Sequence, residues 1–267
     1  MNQTLEERLR DKRGIRFFGD VHGNHGAFAA MARDALDRGW RLHSLGDIID
    51  KGPDSPACMR LACDLHDAGE LELTPGNHCE KFMRWMQGRP VKLRPHGLGL
   101  TVSQLAADRD GKRTAERYFD LVAESALWSR FGDVYAVHAA FHRMMIGRDG
   151  PRLQGYSGSG EVRSRALYGE VASRPQRDDE LPKRTYGWLD EVPESALVLL
   201  GHSVYSLDTP TERRCPSGAR VIHLDTGLAI GGTLSWLDIP TDALLGKSQP
   251  LIPRFPEASD LTVAKAA

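Results

Sequence analysis

In the first third of the chain, short apolar runs that end in glycine or a polar residue alternate with longer stretches whose apolar positions fall every three or four residues. Residues 15–19 (IRFFG) predict a strand and 27–38 (AFAAMARDALDR) a helix. The pattern repeats with strands over 41–46 (RLHSLG) and 70–76 (ELELTPG) and helices over 55–69 (SPACMRLACDLHDAG) and 79–88 (CEKFMRWMQG). Such alternation predicts an α/β sheet. Further strands are expected at 133–138, 196–201, 220–225 and 233–238. No helical pattern separates the last two, so they are expected to pair antiparallel.

Composition narrows the class. The 267 residues are 40% hydrophobic and 27% charged, an ordinary globular balance. Lys+Arg (35) and Asp+Glu (36) leave a net charge of −1, which argues against general nucleic-acid binding. No apolar run approaches the roughly 18 residues that span a bilayer, and the N-terminal MNQTLEERLRDKRG is too charged for a secretion signal. A cytoplasmic location without a membrane partner is expected. Cys58, Cys63, Cys79 and Cys215 form no CxxC pair, so neither a zinc ribbon nor a disulfide framework is indicated. The charge is unevenly spread: residues 1–80 carry 10 basic and 14 acidic side chains, whereas 81–118 carry nine and three. This basic, helical segment reads either as an insertion facing an anionic ligand or as solvated helix surface. Residues 246–267 read as a C-terminal tail after a single domain over 1–245. Gly246-Lys247-Ser248 ends like a phosphate-binding loop, but position 241, where that loop needs its first glycine, is Thr.

Five segments at strand ends carry metal-binding side chains: Asp20-Val21-His22-Gly23, Gly46-Asp47-Ile48-Ile49-Asp50-Lys51-Gly52, Gly76-Asn77-His78, His138-Ala139 and Gly201-His202-Ser203. Ligands for a metal centre must converge, and strand-end loops of an α/β sheet are where side chains converge. Asp20 and His22, two residues apart, are expected on one face. Polar capping of loops is the plainer explanation of any one segment; the five together, in this order, favour a metal site.

The order and spacing of these segments resemble the calcineurin-like metallophosphoesterases, specifically the phosphoprotein phosphatase family, over roughly residues 15–240. The resemblance implies a four-layer αββα sandwich of two mixed sheets, and a two-cation site in which Asp20 and His22 hold the first metal, Asp47 bridges, and Asn77, His138 and His202 hold the second. It implies phosphoester hydrolysis by attack of a hydroxide shared between the cations. His78 is then placed to protonate the leaving oxygen, with Asp50 orienting it, while Lys51, Arg163 and Asn77 contact phosphate and Asp225 orients a ligand from behind. Oxygen and nitrogen ligands favour two Mn²⁺, with Fe or Zn²⁺ as alternatives.

Departures from the family pattern are informative. Lys51 stands where arginine is usual, losing the bidentate fork. Cys79 replaces a common glutamate and, with VKLRPHGLGLTVSQL and VRSRALYGE downstream, resembles a bacterial subgroup of bis-nucleosyl tetraphosphatases and polynucleotide kinase-phosphatase phosphatase domains. Val204, where nuclease branches carry a second histidine, favours a phosphatase. The expected activity is serine/threonine protein phosphatase-like, the partner a phosphorylated protein or a nucleotide, with a dinucleoside tetraphosphate a strong candidate. A nucleic-acid-end phosphatase and a non-catalytic phosphate-binding module are the alternatives.

Overall fold

The computed structural model describes residues 4–172 and 183–258; the last part of the expected tail, 259–267, lies outside them. Two mixed sheets form the centre. The first has strand order β3 (Leu71–Leu73), β2 (Trp40–Ser44), β1 (Gly14–Phe18), β9 (Trp236–Pro240). The second runs β4 (Ser129–Phe131), β5 (Val134–Ala136), β6 (Leu197–Leu200), β8 (Arg220–His223), β7 (Thr211–Arg214).

Period-two alternation builds the layers. Ile15, Phe17, Leu237 and Ile239 of the first sheet meet Ala136, Leu197, Leu199 and Ile222 of the second in one buried cluster between the sheets. After a short helix α1 (Leu5–Arg8) ahead of β1, Phe18 and Leu42 point the other way, beneath helices α2 (His25–Asp37) and α3 (Ser55–Asp67), and Tyr135 and Val198 lie in the same outer core as Ala166 of α7 (Gly160–Tyr168). The result is the expected αββα sandwich. Arg16, 1% exposed, ties β1 to β9 and α2 through a two-pronged pair with Asp238 (2.7 and 2.8 Å) and a bond to Asp34 (2.6 Å).

Residues 77–124 form α4 (Asn77–Met86), α5 (Leu98–Ala107) and α6 (Gly111–Glu124), packed on one another and on α3. Phe82, Leu98, Leu105, Tyr118 and Leu121 are buried in the outer core, whereas Arg89, Arg109, Lys112 and Arg113 are exposed. Much of the basic charge is therefore solvated helix surface.

One pairing differs from expectation. β8 and β9 do not pair: β9 crosses to the first sheet and runs antiparallel to β1, while β8 pairs antiparallel with β7. The sequence of β7, TERR, lacks an apolar run because it is an edge strand. Leu237 and Ile239 of β9 complete the inner face beside Ile15 and Phe17, and that burial outweighs the short connection from β8. The tail is also less free than expected. Glu212 of β7 donates its N–H to the Pro256 carbonyl and accepts from the Ala258 N–H, each at 2.9 Å.

Candidate metal centre

The parallel strands β1, β2, β3, β5, β6 and β8 deliver their carboxyl ends to one rim, and the five expected segments, together with Asp225, follow them. Asp20 and His22 come after β1, Asp47, Asp50 and Lys51 after β2, and Asn77 and His78 open α4 just beyond β3. His138, His202 and Asp225 follow β5, β6 and β8.

The backbone there is unusual. His22 (φ 48°), Asp47 (47°), Asp50 (73°), Lys51 (63°) and His202 (65°) are the non-glycine residues in the left-handed region among the described residues, and every one is in this cluster. Such conformations cost free energy and persist where surrounding structure enforces them, as at functional sites. Asp20 and His22 therefore meet (3.5 Å between carboxylate Oδ2 and Nε2) through a left-handed turn and not through strand alternation, since β1 ends at Phe18. Two glycines make room: a Cβ on Gly76 would sit 2.1 Å from Asp47 Oδ1, and one on Gly201 would sit 2.4 Å from Asp20 Oδ1.

Two groups of donors share Asp47. His22, Asp47 and His78 offer atoms within 4.8 Å of one another, and so do Asp47, His138 and His202. In the second group His138 Nε2 lies 3.3 Å from Asp47 Oδ2, 3.1 Å from Asn77 Oδ1 and 3.1 Å from His202 Nδ1. Ligands bound at about 2.1 Å and at right angles around one cation are about 3 Å apart, so this spacing fits a coordination sphere. The ring orientations suit it: His22 Nδ1 bonds the Ile49 carbonyl (3.0 Å) and His138 Nδ1 the Leu45 carbonyl (2.6 Å), so each Nε2 faces the cluster; against burial, Asp47 holds a proton on His138, raised to about 9, which a bound cation would displace.

Electrostatics point the same way. Asp20, Asp47, Asp50 and Asp225 are all at most 5% exposed, and buried carboxylates need compensating positive charge. Burial and the neighbouring Asp47 push Asp20 up to about 6, despite the opposing pull of His138. Burial together with Asp20 pushes Asp225 up to about 7. For Asp47, burial is outweighed by His138, His78 and His22, which hold it well below the usual range. The protein's own cations lean on the ligand nitrogens: Lys51 Nζ is 2.8 Å from His22 Nε2, and Arg184 donates to His202 Nε2 at 2.8 Å. Oxygen and imidazole donors, crowded carboxylates and lone pairs that already attract cations fit a pair of divalent metal ions.

Beside the ligands, His78 Nδ1 lies 2.6 Å from Asp50 Oδ2, and Thr101 of α5 donates to the other oxygen at 2.6 Å. Gln104 bonds the carbonyls of Gly52 and Pro53 and accepts from the Ser55 N–H, fixing the loop that carries Asp50 and Lys51. Asp225 accepts the Gly227 N–H. Arg163 lies apart from this cluster: its guanidinium donates to Glu80 Oε1 (3.3 Å) and the Leu153 carbonyl (3.2 Å). Cys79 is buried beside Asp47, and burial and that carboxylate push its thiol up to about 12, leaving it protonated and a poor nucleophile. Arg184, Thr101 and Gln104 are the contributors that sequence reasoning missed. Thr101 and Gln104 sit one turn apart on one face of α5, the only signal they leave.

Residues 14–223 match the family described as calcineurin-like phosphoesterase. Among relatives, a bis(5'-nucleosyl)-tetraphosphatase PrpE (asymmetrical) of Geobacillus thermodenitrificans is 28% identical over 255 residues, covering 90% of this chain and 96% of the relative. The one of Bacillus subtilis is 26% identical over 235 residues, covering 83% and 88%. Among solved structures, a protein serine/threonine phosphatase from Saccharomyces cerevisiae superposes with a TM-score of 0.53 at 11% identity, over 82% of this chain and 69% of that one, a likeness of fold. Among the described residues no helix is long and apolar enough to cross a membrane.

Proposed function

Because the chain belongs to the calcineurin-like phosphoesterase family, and is on that ground a metal-dependent hydrolase of phosphoester bonds, we propose that its substrate is a dinucleoside polyphosphate and that Asp47 is the shared ligand of two divalent cations, Mn²⁺ by preference. The observation that carries the reading is the membership of Asp47 in both donor groups. In this reading Asp20 and His22 complete one side, and Asn77, His138 and His202 the other. Held by these residues, the cations would supply an activated water and positive charge for the phosphoryl oxygens. His78 gives a proton to the leaving oxygen while Asp50 holds its Nδ1–H. Lys51 and Arg184 draw the phosphoryl oxygens toward the cluster, and Asp225 keeps the Asp20 side in place.

A non-catalytic module of the same fold is disfavoured because both donor groups are complete and His78, paired with Asp50, stands beside them. For the substrate, support comes from the names of relatives matched over nearly their full length. The test is a side-by-side measurement with Mn²⁺ on diadenosine tetraphosphate, a phosphoserine peptide, a 3′-phosphorylated oligonucleotide and p-nitrophenyl phosphate. The dinucleotide should lead by about tenfold or more in kcat/KM, a margin of about 1.4 kcal/mol. Preference for the peptide or the oligonucleotide would overturn the substrate assignment while leaving the hydrolase intact.

A further inference from the structure

We propose that the groove flanking helix α4 is a second anion subsite, holding phosphates of a polyphosphate substrate that are not being cleaved; this rests on the phosphatase reading above. Helix α4 begins inside the metal centre with Asn77 and His78 and leads outward along the groove. The groove encloses about 570 Å³, and its charged lining is Arg84, Arg89 and Arg163 against Glu80 alone. Arg163, expected at the reacting phosphate, belongs to this groove instead.

Glu80 is already committed. Its Oε1 takes Arg163 at 3.3 Å and its Oε2 takes the Tyr168 hydroxyl at 2.8 Å. Arg84 spends one N–H on the Pro90 carbonyl (3.2 Å), and the Arg89 guanidinium, on an exposed residue, makes no ion pair or hydrogen bond among the described residues. Guanidinium forks left with free N–H groups suit phosphate oxygens, which they can bind two at a time.

Reach decides between a single phosphate and a chain of them. From His78 to Arg84 is six residues of helix, about 9 Å along the axis at 1.5 Å per residue. A phosphate held by Arg84 is therefore a different phosphate from one reacting beside His78. A phosphorylated side chain brings one phosphate and a largely neutral backbone, which leaves the surplus of arginines unmatched; a nucleoside polyphosphate supplies anionic groups at both places.

The test uses the double variant Arg84→Ala/Arg89→Ala in the full chain with Mn²⁺. Both positions are at least partly exposed, so the fold should survive. For diadenosine tetraphosphate KM should rise about tenfold or more while kcat stays within about twofold, the pattern of lost uniform binding. For p-nitrophenyl phosphate, with one phosphate, both parameters should stay within about twofold of the unaltered protein. Calorimetric titration of inorganic tripolyphosphate, on metal-stripped protein so that chelation does not intervene, should weaken about tenfold. An unmoved KM for the dinucleotide, an unmoved tripolyphosphate affinity, or an equal loss on p-nitrophenyl phosphate each overturns the subsite. A variant that harms only hydrolysis of an acidic phosphopeptide assigns the groove to a phosphoprotein and also overturns it. Inactivity of the unaltered protein on every phosphate ester would instead overturn the phosphatase reading, and the calorimetric result would still decide the subsite.

Discussion

Thr101 Oγ1 donates to Asp50 Oδ1 at 2.6 Å, while the opposite oxygen of the same carboxylate faces His78 Nδ1 at 2.6 Å. The hydroxyl thus holds the carboxylate that faces the imidazole, so that, on the role proposed for His78 as proton donor, α5 would serve the chemistry without touching substrate. Thr101→Val should lower kcat about tenfold with KM little changed, because a misaimed proton donor affects the transition state and not ground-state binding. Thr101→Ser should restore most of the rate. If the valine variant turns over normally, Thr101 is a packing residue.

Asp47 is common to both donor groups and accepts the His78 N–H at 2.9 Å. Asp47→Asn keeps the shape and removes the charge. Metal analysis after dialysis should find fewer bound ions than in the unaltered protein, and activity with Mn²⁺ should fall by a factor of about 100 or more. Chelation followed by Mn²⁺ should restore the unaltered protein and not the variant. Full metal content in the variant would remove Asp47 from its bridging place.

Lys51 and Arg184 approach opposite sides of the cluster, at His22 and His202. If they bind phosphate, Lys51→Ala and Arg184→Ala should each reduce kcat/KM about tenfold or more on p-nitrophenyl phosphate, and the double variant should fall short of additive because both act on one group. Lys51→Arg should retain activity, since a guanidinium adds a fork to the same charge. An Arg184→Ala enzyme with unaltered kinetics would confine that residue to bonding His202.

The residues that gather at the rim are legible because most follow a strand and a glycine, as Asp20, Asp47, Asn77 and His202 do, while His138 ends an apolar run directly. What was not legible is how they meet. Asp20 and His22 come together through a left-handed turn, which a two-residue spacing does not reveal, and Arg184 enters from a loop with no motif. Arg163 is a related case: its segment is recognisable, but the sequence does not reveal that its guanidinium pairs with Glu80 and the Leu153 carbonyl. Alternating runs predict an α/β sheet and the family resemblance supplies its four layers, whereas the strand β7, four residues with no apolar run at a sheet edge, has no periodic signal and took the pairing of β8 with it.

His223, at the end of β8, is 2% exposed, and neither ring nitrogen has a hydrogen-bond partner among the described residues; its ring packs edge-on against Tyr205 with centroids 4.7 Å apart. Burial, then Arg213 and Arg184, push it down to about 3. The folded state thus refuses a proton that the unfolded chain accepts below about 6.5. The stability involved is fully present above that value and is lost as pH falls from about 6.5 toward 3. Between pH 7 and pH 5 the loss is about 2 kcal/mol. His223→Phe keeps the aromatic contact, forfeits no hydrogen bond and removes the titration. The drop in melting temperature between pH 7 and pH 5 should therefore be smaller in the variant by about 5 °C, the remainder coming from groups such as His43, which burial holds down at about 4. Melting curves of both proteins at the two pH values decide it: an equal drop would mean that His223 is protonated, or reached by water, in the folded protein.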